Sequence, residues 1–387
     1  MALRPTRAYV DLEAISQNVA AVRQKIGPGR QIMAMVKADG YGHGALPVSL
    51  AALKAGATWL GVALPEEGIE LRQAGIQAPI LVAGPIQPEE ADKPIMAKLD
   101  QAVCSLELAE ALNQAASRAS VKARIHLKVE TGMGRVGFWP EEVVPALKRI
   151  GNLSNLEVIG LFSHFSSADE ADKSFSSRQL KVFDQVLAAV AQAGFEIKLR
   201  HIANSAAILD LPEAYYDLVR PGIMIYGLYP SAQVSQSLKL KPAMTLATKI
   251  SHLKIVPPGT PLGYGRTFVT TRPTAVATLP IGYADGYSRL LSNRSQVLVK
   301  GQRAPVIGRI CMDMTLVDVT DLGEVRLGEE VVLFGHDPSA DEVAGTMGTI
   351  SYELVCAVSK RVPRVYLGPE RSNQGGEDGH HSAHLPV

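Results

Sequence analysis

The stretch QIMAMVK, residues 31–37, is a short run that is apolar from Ile32 to Val36 and ends in a lysine. Its apolar side chains are consecutive and do not alternate with polar ones. Such a run is typical of a strand buried on both faces, as in a parallel sheet. The stretch therefore predicts the first strand of an α/β domain.

Similar runs recur along the first 230 residues, separated by amphipathic segments that predict helices, such as DLEAISQNVAAVRQKI with its N-cap residue Asp11. Eight strand–helix units in this length predict a (β/α)8 barrel, of the TIM type, although a doubly wound open sheet is an alternative. The seven further runs are WLGVAL (59–64), PILVAG (79–84), QAVCS (101–105), RIHLKVE (124–130), LEVIGLFSHF (156–165), IKLRHIAN (197–204) and LVRPGIMIYG (218–227).

The pattern changes after about residue 240. Short β-branched runs such as TAVATLPIGYA (274–284) and EEVVLFG (329–335) are separated by Gly and Pro, and helical periodicity is scarce. These features predict a C-terminal, mostly antiparallel β domain. We therefore divide the chain into a barrel of residues 1–240, a β domain of residues 241–368 and a polar tail of residues 369–387, which we expect to be disordered.

Composition narrows the possible functions. A chain of 387 residues suits two domains, and a net charge of +1 gives no indication of nucleic-acid or membrane binding. Cys104, Cys311 and Cys356 form no close pair, so we expect neither a disulfide framework nor a metal site. The N-terminus lacks the apolar segment of a secretory signal, and no apolar run approaches ~20 residues. We therefore expect a cytoplasmic protein.

The carboxyl ends of the predicted strands carry polar residues, and the active site of a (β/α)8 barrel lies at that end. Lys37 at the mouth of a buried strand can form a Schiff base with an aldehyde cofactor, although strand-end lysines more often only reach solvent. The other polar residues near predicted strand ends are Lys128, Arg135, His164, Asn204, Ser205 and Arg220.

The glycines of residues 132–137, GMGRVG, match the dinucleotide-binding fingerprint, but that interpretation is rejected. The fingerprint requires its glycines to open a helix directly, whereas Phe138 and Trp139 precede the helix predicted from Pro140. A loop that presents Arg135 to a carboxylate is the better interpretation, because a guanidinium binds carboxylates bidentately. A structural surface arginine remains equally compatible with this segment alone.

Arg220 lies within an apolar strand and therefore needs a partner, since an unpaired buried charge is costly. The partner is either a carboxylate in a structural ion pair or a polar ligand, and burial alone does not decide between them. Gly222 and Ile223 could offer backbone N–H groups to a phosphate, as could Ser205. Helix capping is the more common role for a serine such as Ser205.

Residues of the second half offer fewer indications by themselves. Tyr264 stands between two glycines, as expected for an exposed turn, and Tyr352 resembles any aromatic residue at a β–helix junction. Met312 follows a β run. Cys311 is more plausible as a packed residue than as a nucleophile, because Arg309 is the only basic residue close to it.

Taken together, nine segments in order along the chain resemble the alanine racemase family. The chain departs from it mildly: Glu130 stands where many relatives have Asp, and the tail after Gly368 has no counterpart. The nine segments are AMVKADGYGHG (34–44), HLKVETGMGRVG (126–137), HFSSADE (164–170), HIANSAA (201–207), VRPGIMIYG (219–227), GYGRTF (263–268), PIGYADGY (280–287), RICMDM (309–314) and SYE (351–353).

The resemblance implies a barrel followed by a β domain, and it implies pyridoxal 5'-phosphate held by Lys37 as a Schiff base. It places Arg220 at the pyridine nitrogen. It implies that Arg135 and the backbone of Met312 hold the substrate carboxylate. Lys128 matches a lysine that is carbamylated in some relatives and orients Arg135. The residues that would surround the phosphate are Tyr41, Ser205, Gly222, Ile223 and Tyr352.

The implied reaction interconverts L-alanine and D-alanine and supplies D-alanine for peptidoglycan. Removing a proton from one face of the α-carbon and returning it on the other calls for two bases. The resemblance implies Lys37 for the D-enantiomer and Tyr264 for the L-enantiomer, with His164 hydrogen-bonded to Tyr264 and linked to Arg220. It also implies a homodimer in which Tyr264 and Met312 complete the site of the other chain.

Other functions remain open at this point. A racemase of serine or of a broader range of amino acids is one, although Tyr283 and Tyr352 would narrow the entrance in favour of alanine. A barrel-type decarboxylase with the same cofactor would place an acidic group where Arg220 stands. A non-catalytic pyridoxal-phosphate carrier usually consists of the barrel alone.

Overall fold

The computed structural model describes residues 4–368, so the tail predicted to be disordered lies outside the described residues. The chain forms two compact units, each built from separate segments. The barrel unit contains Ile15–Gly40 and Ala45–Leu240. The β unit contains residues 4–14, Tyr41–Gly44 and residues 241–368. The predicted division of the sequence at residue 240 stays a prediction.

The barrel unit contains an eight-stranded parallel sheet in the order β8-β7-β6-β5-β4-β3-β2-β9. Asp217 N donates to Arg200 O over 3.2 Å, and Arg220 N donates to Ala203 O over 3.0 Å, so backbone hydrogen bonds also join the two outer strands. The predicted (β/α)8 fold is confirmed. The strands are β2 (Gln31–Met35), β3 (Trp59–Val62), β4 (Ile80–Val82), β5 (Asp100–Val103), β6 (Ala123–Lys128), β7 (Leu156–Phe162), β8 (Leu199–His201) and β9 (Leu218–Val219).

The helices between these strands begin and end where the sequence provides the signals. α6 shows this best: Ser105 Oγ accepts a hydrogen bond from Leu108 N over 3.2 Å, and apolar residues at helical spacing are buried. The helices are α1 (Leu12–Ile26), a left-handed turn labelled α2 (Lys37–Tyr41), α3 (Ala45–Lys54), α4 (Pro65–Gln73), α5 (Asp92–Met96), α6 (Leu106–Arg118), α7 (Val143–Ile150), α8 (Ser174–Gln192) and α9 (Ser205–Asp210). Short 3-10 helices span Pro88–Glu90, Pro140–Glu142, Pro212–Ala214 and Ile223–Tyr226.

All eight strands are shorter than the predicted runs, and two of these differences affect the proposed site. The first ends at Met35 and not at Lys37, because the chain turns left-handed directly after Lys37. The last predicted strand, residues 218–227, contains only the two residues of β9 before the chain enters the 3-10 helix Ile223–Tyr226. The apolar composition of that segment reflects burial in a helical turn, which an apolar run alone does not distinguish from a strand.

The β unit contains a six-stranded sheet in the order β16-β15-β18-β10-β1-β19, a three-stranded sheet β11-β14-β17 and the pair β12-β13. All pairs are antiparallel except β1 with β19. The strands are β1 (Arg7–Asp11), β10 (Met244–Lys249), β11 (His252–Val256), β12 (Pro261–Leu262), β13 (Phe268–Val269), β14 (Thr274–Leu279), β15 (Gln296–Val299), β16 (Gln302–Pro305), β17 (Thr315–Asp318), β18 (Glu330–Phe334) and β19 (Arg364–Leu367). Helices α10 (Ala340–Met347) and α11 (Ser351–Ala357) complete the unit, with 3-10 helices at Tyr264–Arg266, Tyr283–Asp285, Arg289–Leu291 and Thr320–Leu322.

The N-terminal segment is tied into the β unit. Ala8 and Val10 of β1 are fully buried, and Arg4 binds the buried carboxylate of Asp285 through two hydrogen bonds of 2.6 Å each. The sequence analysis missed β1, because a five-residue strand directly before a helix gives little periodic signal. Within residues 4–368, no helix is both long and apolar enough to cross a membrane.

Candidate active site

Lys37 stands at the start of a strained backbone turn at the carboxyl end of β2. Ala38 and Asp39 both have φ of 53°, and Tyr41 has φ of 51°. A left-handed conformation costs a residue with a side chain roughly 1–2 kcal/mol. Strain of this kind persists only where the surrounding structure holds it, and it is common at active sites.

Hydrogen bonds hold this turn in place. Ala38 N donates to Glu67 Oε1 over 2.6 Å, and Ala45 N donates to Asp39 Oδ1 over 2.8 Å. The other carboxylate oxygen of Glu67 accepts from Ala63 N over 2.8 Å, so one side chain of α4 ties the ends of two neighbouring strands together. Glu67 was not identified from the sequence. It fixes the backbone next to Lys37.

Arg220 is buried just after β9 and meets only neutral acceptors. Its Nη1 lies 2.8 Å from His201 Nδ1, and its Nη2 lies 3.2 Å from His164 Nδ1. Nη2 also donates to the carbonyl oxygens of Ser163 over 2.8 Å and Ile202 over 3.2 Å. Within residues 4–368, no carboxylate forms an ion pair with it. This arrangement favours a polar ligand over a structural ion pair as the reason for the charge.

The electrostatic environment around Arg220 is strongly positive. Burial and, to a smaller extent, the charge of Arg135 lower the pKa of Arg220 to about 9, so the guanidinium is still cationic at neutral pH. The pKa of His164 lies well below its ordinary value because of desolvation and then the charges of Arg220, Lys128, Arg135 and Lys37. The predicted barrel-end cations therefore lie close enough to act on one imidazole. Such a concentration of positive charge suits an anionic ligand.

Lys128 ends β6 and is also buried. Its Nζ donates to Val129 O over 3.0 Å and lies 5.3 Å from the centre of the Phe162 ring. Burial, followed by the charge of Arg220, lowers the pKa of Lys128 to about 7. A large fraction of this lysine is therefore the neutral amine at neutral pH.

The loop that carries Arg135 is organised around Glu130, another residue whose role was not recognised from the sequence. Gly132 N donates to Glu130 Oε1 over 2.5 Å, and Arg135 N donates to Oε2 over 3.2 Å. Burial raises the pKa of Glu130, but backbone hydrogen bonds from Gly134, Gly132, Arg135 and Met133 outweigh it, so the pKa lies below its usual value. Helical structure begins only at Pro140, so the glycines of this loop do not open a helix.

Ser205 faces the loop after β9 and does not cap α9. The cap is Asn204, whose side chain accepts from Ala207 N over 3.0 Å. Ser205 Oγ instead accepts from Gly222 N over 2.8 Å and lies 3.5 Å from Met224 N. The two backbone N–H groups therefore point at the Ser205 hydroxyl, which can still donate its own proton to an anionic ligand.

The remaining predicted site residues belong to the β unit. The rings of Tyr41 and Tyr352 are 6.1 Å apart between centroids. Tyr264 is 69% exposed, and Met312 is 52% exposed. Burial raises the pKa of the Cys311 thiol, which agrees with a packed residue more than with a nucleophile.

His201 is the main site residue that the sequence analysis overlooked. It lies in β8, is fully buried and accepts a hydrogen bond from Arg220. A histidine within the predicted strand IKLRHIAN was a usable signal, because a fully buried imidazole needs a polar partner. Its partner is the buried arginine of the next strand.

These features define a class of protein: a barrel enzyme that presents a lysine amine and a buried arginine beside a site for an anionic ligand. Comparisons narrow the class. Residues 10–230 match the family model "Alanine racemase, N-terminal domain", and residues 243–366 match "Alanine racemase, C-terminal domain".

Relatives match over nearly the whole chain. The alanine racemase of Desulforamulus reducens is 49% identical over 94% of this chain and 99% of its own length. That of Halothermothrix orenii is 47% identical over 94% of this chain and 97% of its own length. The solved alanine racemase of Clostridium difficile 630 superposes with a TM-score of 0.92 at 39% identity, covering 95% of this chain and 97% of that structure. The chain belongs to the alanine racemase family.

Proposed function

We propose that this chain racemises alanine with Lys37 and Tyr264 as the two bases, one on each face of the substrate α-carbon. Membership of the family establishes an isomerase that depends on pyridoxal 5'-phosphate and interconverts L- and D-alanine. We assign the protein to the cytoplasm, where it would supply D-alanine for peptidoglycan. Lys37 lies at the strained turn and is one of the four cations whose charges lower the pKa of His164. This observation carries the assignment of Lys37.

The residues of the barrel unit fit the cofactor. Ser205, Gly222 and Ile223 are proposed to border the phosphate, with the Ser205 hydroxyl, which accepts from Gly222 N over 2.8 Å, as a donor to a phosphate oxygen. An aromatic nitrogen with a lone pair suits a guanidinium donor. Within residues 4–368, the groups that accept hydrogen bonds from Arg220 are all neutral. Tyr41 and Tyr352 are proposed to add to the phosphate site.

Pyridoxal phosphate, when bound, withdraws electrons from the α-carbon of an attached amino acid and so makes its proton acidic. The Tyr264 phenolate oxygen takes the α-proton from L-alanine, and the Lys37 ammonium returns a proton to the opposite face. The reverse transfers convert D-alanine. His164, whose Nδ1 lies 3.2 Å from Arg220 Nη2, is proposed to hydrogen-bond Tyr264 and to tune the phenol.

Arg135 and the backbone of Met312 are proposed to hold the substrate carboxylate. Glu130 accepts hydrogen bonds from Gly132 N and Arg135 N and so holds this loop in one conformation. The Arg135 guanidinium is then preorganised for the substrate carboxylate. Tyr283 and Tyr352 are proposed to narrow the entrance, which favours alanine over larger substrates.

Borohydride reduction tests the assignment of Lys37. After incubation with pyridoxal phosphate and reduction, peptide mapping is expected to find the pyridoxyl group on the peptide that contains residues 31–37. The variant Lys37→Ala should lose both the label and racemisation of a panel of L-amino acids, measured by polarimetry. A label on any other lysine of the active wild-type protein would contradict the assignment.

Lys128 is expected to form a carbamate. Its neutral amine attacks carbon dioxide, a C–N bond forms, and the amine releases one proton. The anionic product offsets the charges of Arg220 and Arg135. With ¹³C-labelled bicarbonate, we expect a ¹³C NMR carbamate signal that grows from pH 6 to pH 8 at constant dissolved carbon dioxide, because the pKa of Lys128 is about 7.

The matched variants are Lys128→Met, which should lose this signal, and Lys198→Met, which should keep it because Lys198 is an exposed lysine paired with Glu157. A signal that persists in Lys128→Met would place the carbamate elsewhere.

We also propose that the chain is a homodimer whose sites are each completed by Tyr264 and Met312 of the other chain. Several large apolar side chains of the β unit are exposed, and both residues proposed to reach the other chain are among them. They are Tyr264, Leu290, Met312, Met314 and Ile350.

Mixing two inactive variants tests the composite site. In a heterodimer of Lys37→Ala and Tyr264→Ala chains, one site combines both mutations and the other has both native residues. Random pairing after co-refolding should therefore restore about one quarter of wild-type racemase activity. Wild-type chains carried through the same refolding are the control. No recovery beyond the two separate variants would show that both bases come from one chain.

A further inference from the structure

A chain of polar side chains runs through the inside of the barrel, where most barrels of this kind are filled with aliphatic residues. Arg220 Nη1 lies 2.8 Å from His201 Nδ1, and His201 Nε2 lies 3.0 Å from His126 Nδ1. His126 Nε2 lies 3.5 Å from Asp100 Oδ2. Asp100 is the first residue of β5, at the amino end of the barrel, whereas Arg220 follows β9 at the carboxyl end.

The two ends of this chain determine where the protons lie. A guanidinium only donates, so His201 Nδ1 accepts, and a neutral His201 then carries its proton on Nε2. That proton is donated to His126 Nδ1, which leaves the His126 proton on Nε2, facing Asp100. A carboxylate only accepts, so the last contact, an electrostatic one of 3.5 Å between His126 Nε2 and Asp100 Oδ2, has the same direction as the two hydrogen bonds. Burial lowers the pKa of both histidines, and for His201 the charge of Arg220 adds to it, which keeps the rings neutral.

Packing fixes the two rings. His201 stacks on Phe162 with the ring centroids 4.9 Å apart and the planes at 5°. His126 meets Trp59 edge to face at 5.5 Å. Gly160 on β7 makes room for His126, because a Cβ at this position would lie 2.0 Å from His126 Nδ1. The imidazoles therefore have little freedom to rotate out of the chain.

We propose that Asp100 and His126 are positioning residues for Arg220, acting through His201. They hold a hydrogen-bond acceptor in one orientation beside the guanidinium and supply, two imidazoles away, the negative charge that its immediate partners lack. This inference rests on the proposed function, in which Arg220 contacts the cofactor ring nitrogen. Fixing Arg220 fixes the electronic state of the cofactor without placing a carboxylate beside it.

The Asp100 end of this polar series lies at the amino end of the barrel, away from the proposed site. Arg124 Nη2 lies 3.0 Å from Asp100 Oδ2, and its side chain is 41% exposed, so solvent screens this pair. A cavity of about 430 Å³ at this end is lined by Arg124, Glu157 and Lys198, among other residues. Glu157 is a carboxylate at the same end of the barrel, but it is not part of the series Arg220–His201–His126–Asp100. It therefore serves as a control.

Nitrogen-15 NMR of the full-length, histidine-labelled protein tests the direction of the chain without using activity. At neutral pH, His126 and His201 are expected to be neutral with the proton on Nε2. A proton on Nδ1 of either ring, or a cationic His201, would overturn the proposal. Because this measurement uses the wild-type protein, a variant that fails to fold does not affect it.

Variants at His126 separate positioning from structural packing. His126→Phe removes the acceptor but keeps a ring, so kcat for alanine should fall about tenfold, as losses of outer hydrogen-bond partners commonly do, with KM nearly unchanged. The Tm should fall, because the buried His201 Nε2–H and the Asp100 carboxylate lose their contact with His126, so the split between kcat and KM is the readout that a purely structural role would not produce. His126→Asn, whose amide oxygen can replace Nδ1, should retain most of the kcat, and Glu157→Gln should retain all of it.

Equal losses in His126→Phe and His126→Asn, or wild-type kcat in His126→Phe, would refute the positioning role. If the wild-type protein does not racemise alanine at all, the proposed function fails, while the NMR result still decides whether the chain of donors exists.

Discussion

Replacing Tyr264 by alanine is expected to remove proton abstraction from L-alanine while leaving abstraction from D-alanine largely intact. A positioned general base contributes roughly 10²- to 10⁴-fold to the rate, and on the face assigned to Tyr264 no other base is proposed. Lys37 on the opposite face is untouched. In D₂O, the α-proton of L-alanine should therefore persist in the ¹H NMR spectrum, whereas that of D-alanine should still exchange.

Two further variants sharpen this test. Tyr264→Phe removes only the hydroxyl and should lose the same exchange. Ile255→Ala changes another exposed side chain of the β unit, 79% exposed, and should leave both exchange rates as in the wild type. Equal loss of exchange from both enantiomers in Tyr264→Ala would refute the assignment of one base to each face.

Replacing Arg220 by glutamate is expected to turn part of the racemase activity into transamination. A permanently cationic arginine disfavours protonation of the ring nitrogen, and a carboxylate there favours it, which makes the cofactor a stronger electron sink. Losing a positioned donor typically costs about 10²- to 10³-fold in kcat, so racemisation should fall by this order. Pyruvate formed per racemisation event should rise, measured with lactate dehydrogenase and chiral chromatography.

The groups that contact Arg220 affect how stably Arg220→Glu folds, so a second variant is needed as a control. The carbonyl oxygens of Ser163 and Ile202 accept hydrogen bonds from Nη2, and they would repel the carboxylate of Arg220→Glu. We therefore expect a lower Tm for Arg220→Glu. Arg220→Lys keeps the positive charge and should racemise slowly without gaining transamination. If Arg220→Glu partitions between the two reactions as the wild type does, the electronic role assigned to Arg220 is wrong.

The barrel could be predicted from the sequence because its strands are short and almost uniformly apolar. β3 and β4, for example, are apolar and buried at every residue, and this is the pattern that distinguishes a parallel sheet from a half-exposed one. Once the barrel is predicted, the rule that catalysis occurs at the carboxyl ends directs attention to Lys37 and Arg220. The family resemblance then supplied the roles.

Features that depend on tertiary packing could not be predicted. The left-handed turn after Lys37 includes Ala38 and Asp39, and neither residue type signals positive φ as strongly as glycine does. The hydrogen bond between His126 and His201 joins residues that are far apart in sequence, and each histidine alone resembles an ordinary core residue. Both features became visible only when the strands were placed side by side.

The position of β1 has a consequence for synthesis on the ribosome. Ala8 pairs with Arg364, so β1 cannot complete its pairing until a strand far along the message has been translated. All eight strands of the barrel are translated before β19, which favours early folding of that unit during synthesis. Until then one edge of β1 is unpaired, and an unpaired edge can pair with strands of other chains. Slow elongation between the barrel strands and β19 should therefore increase aggregation of the nascent protein more than slow elongation after β19.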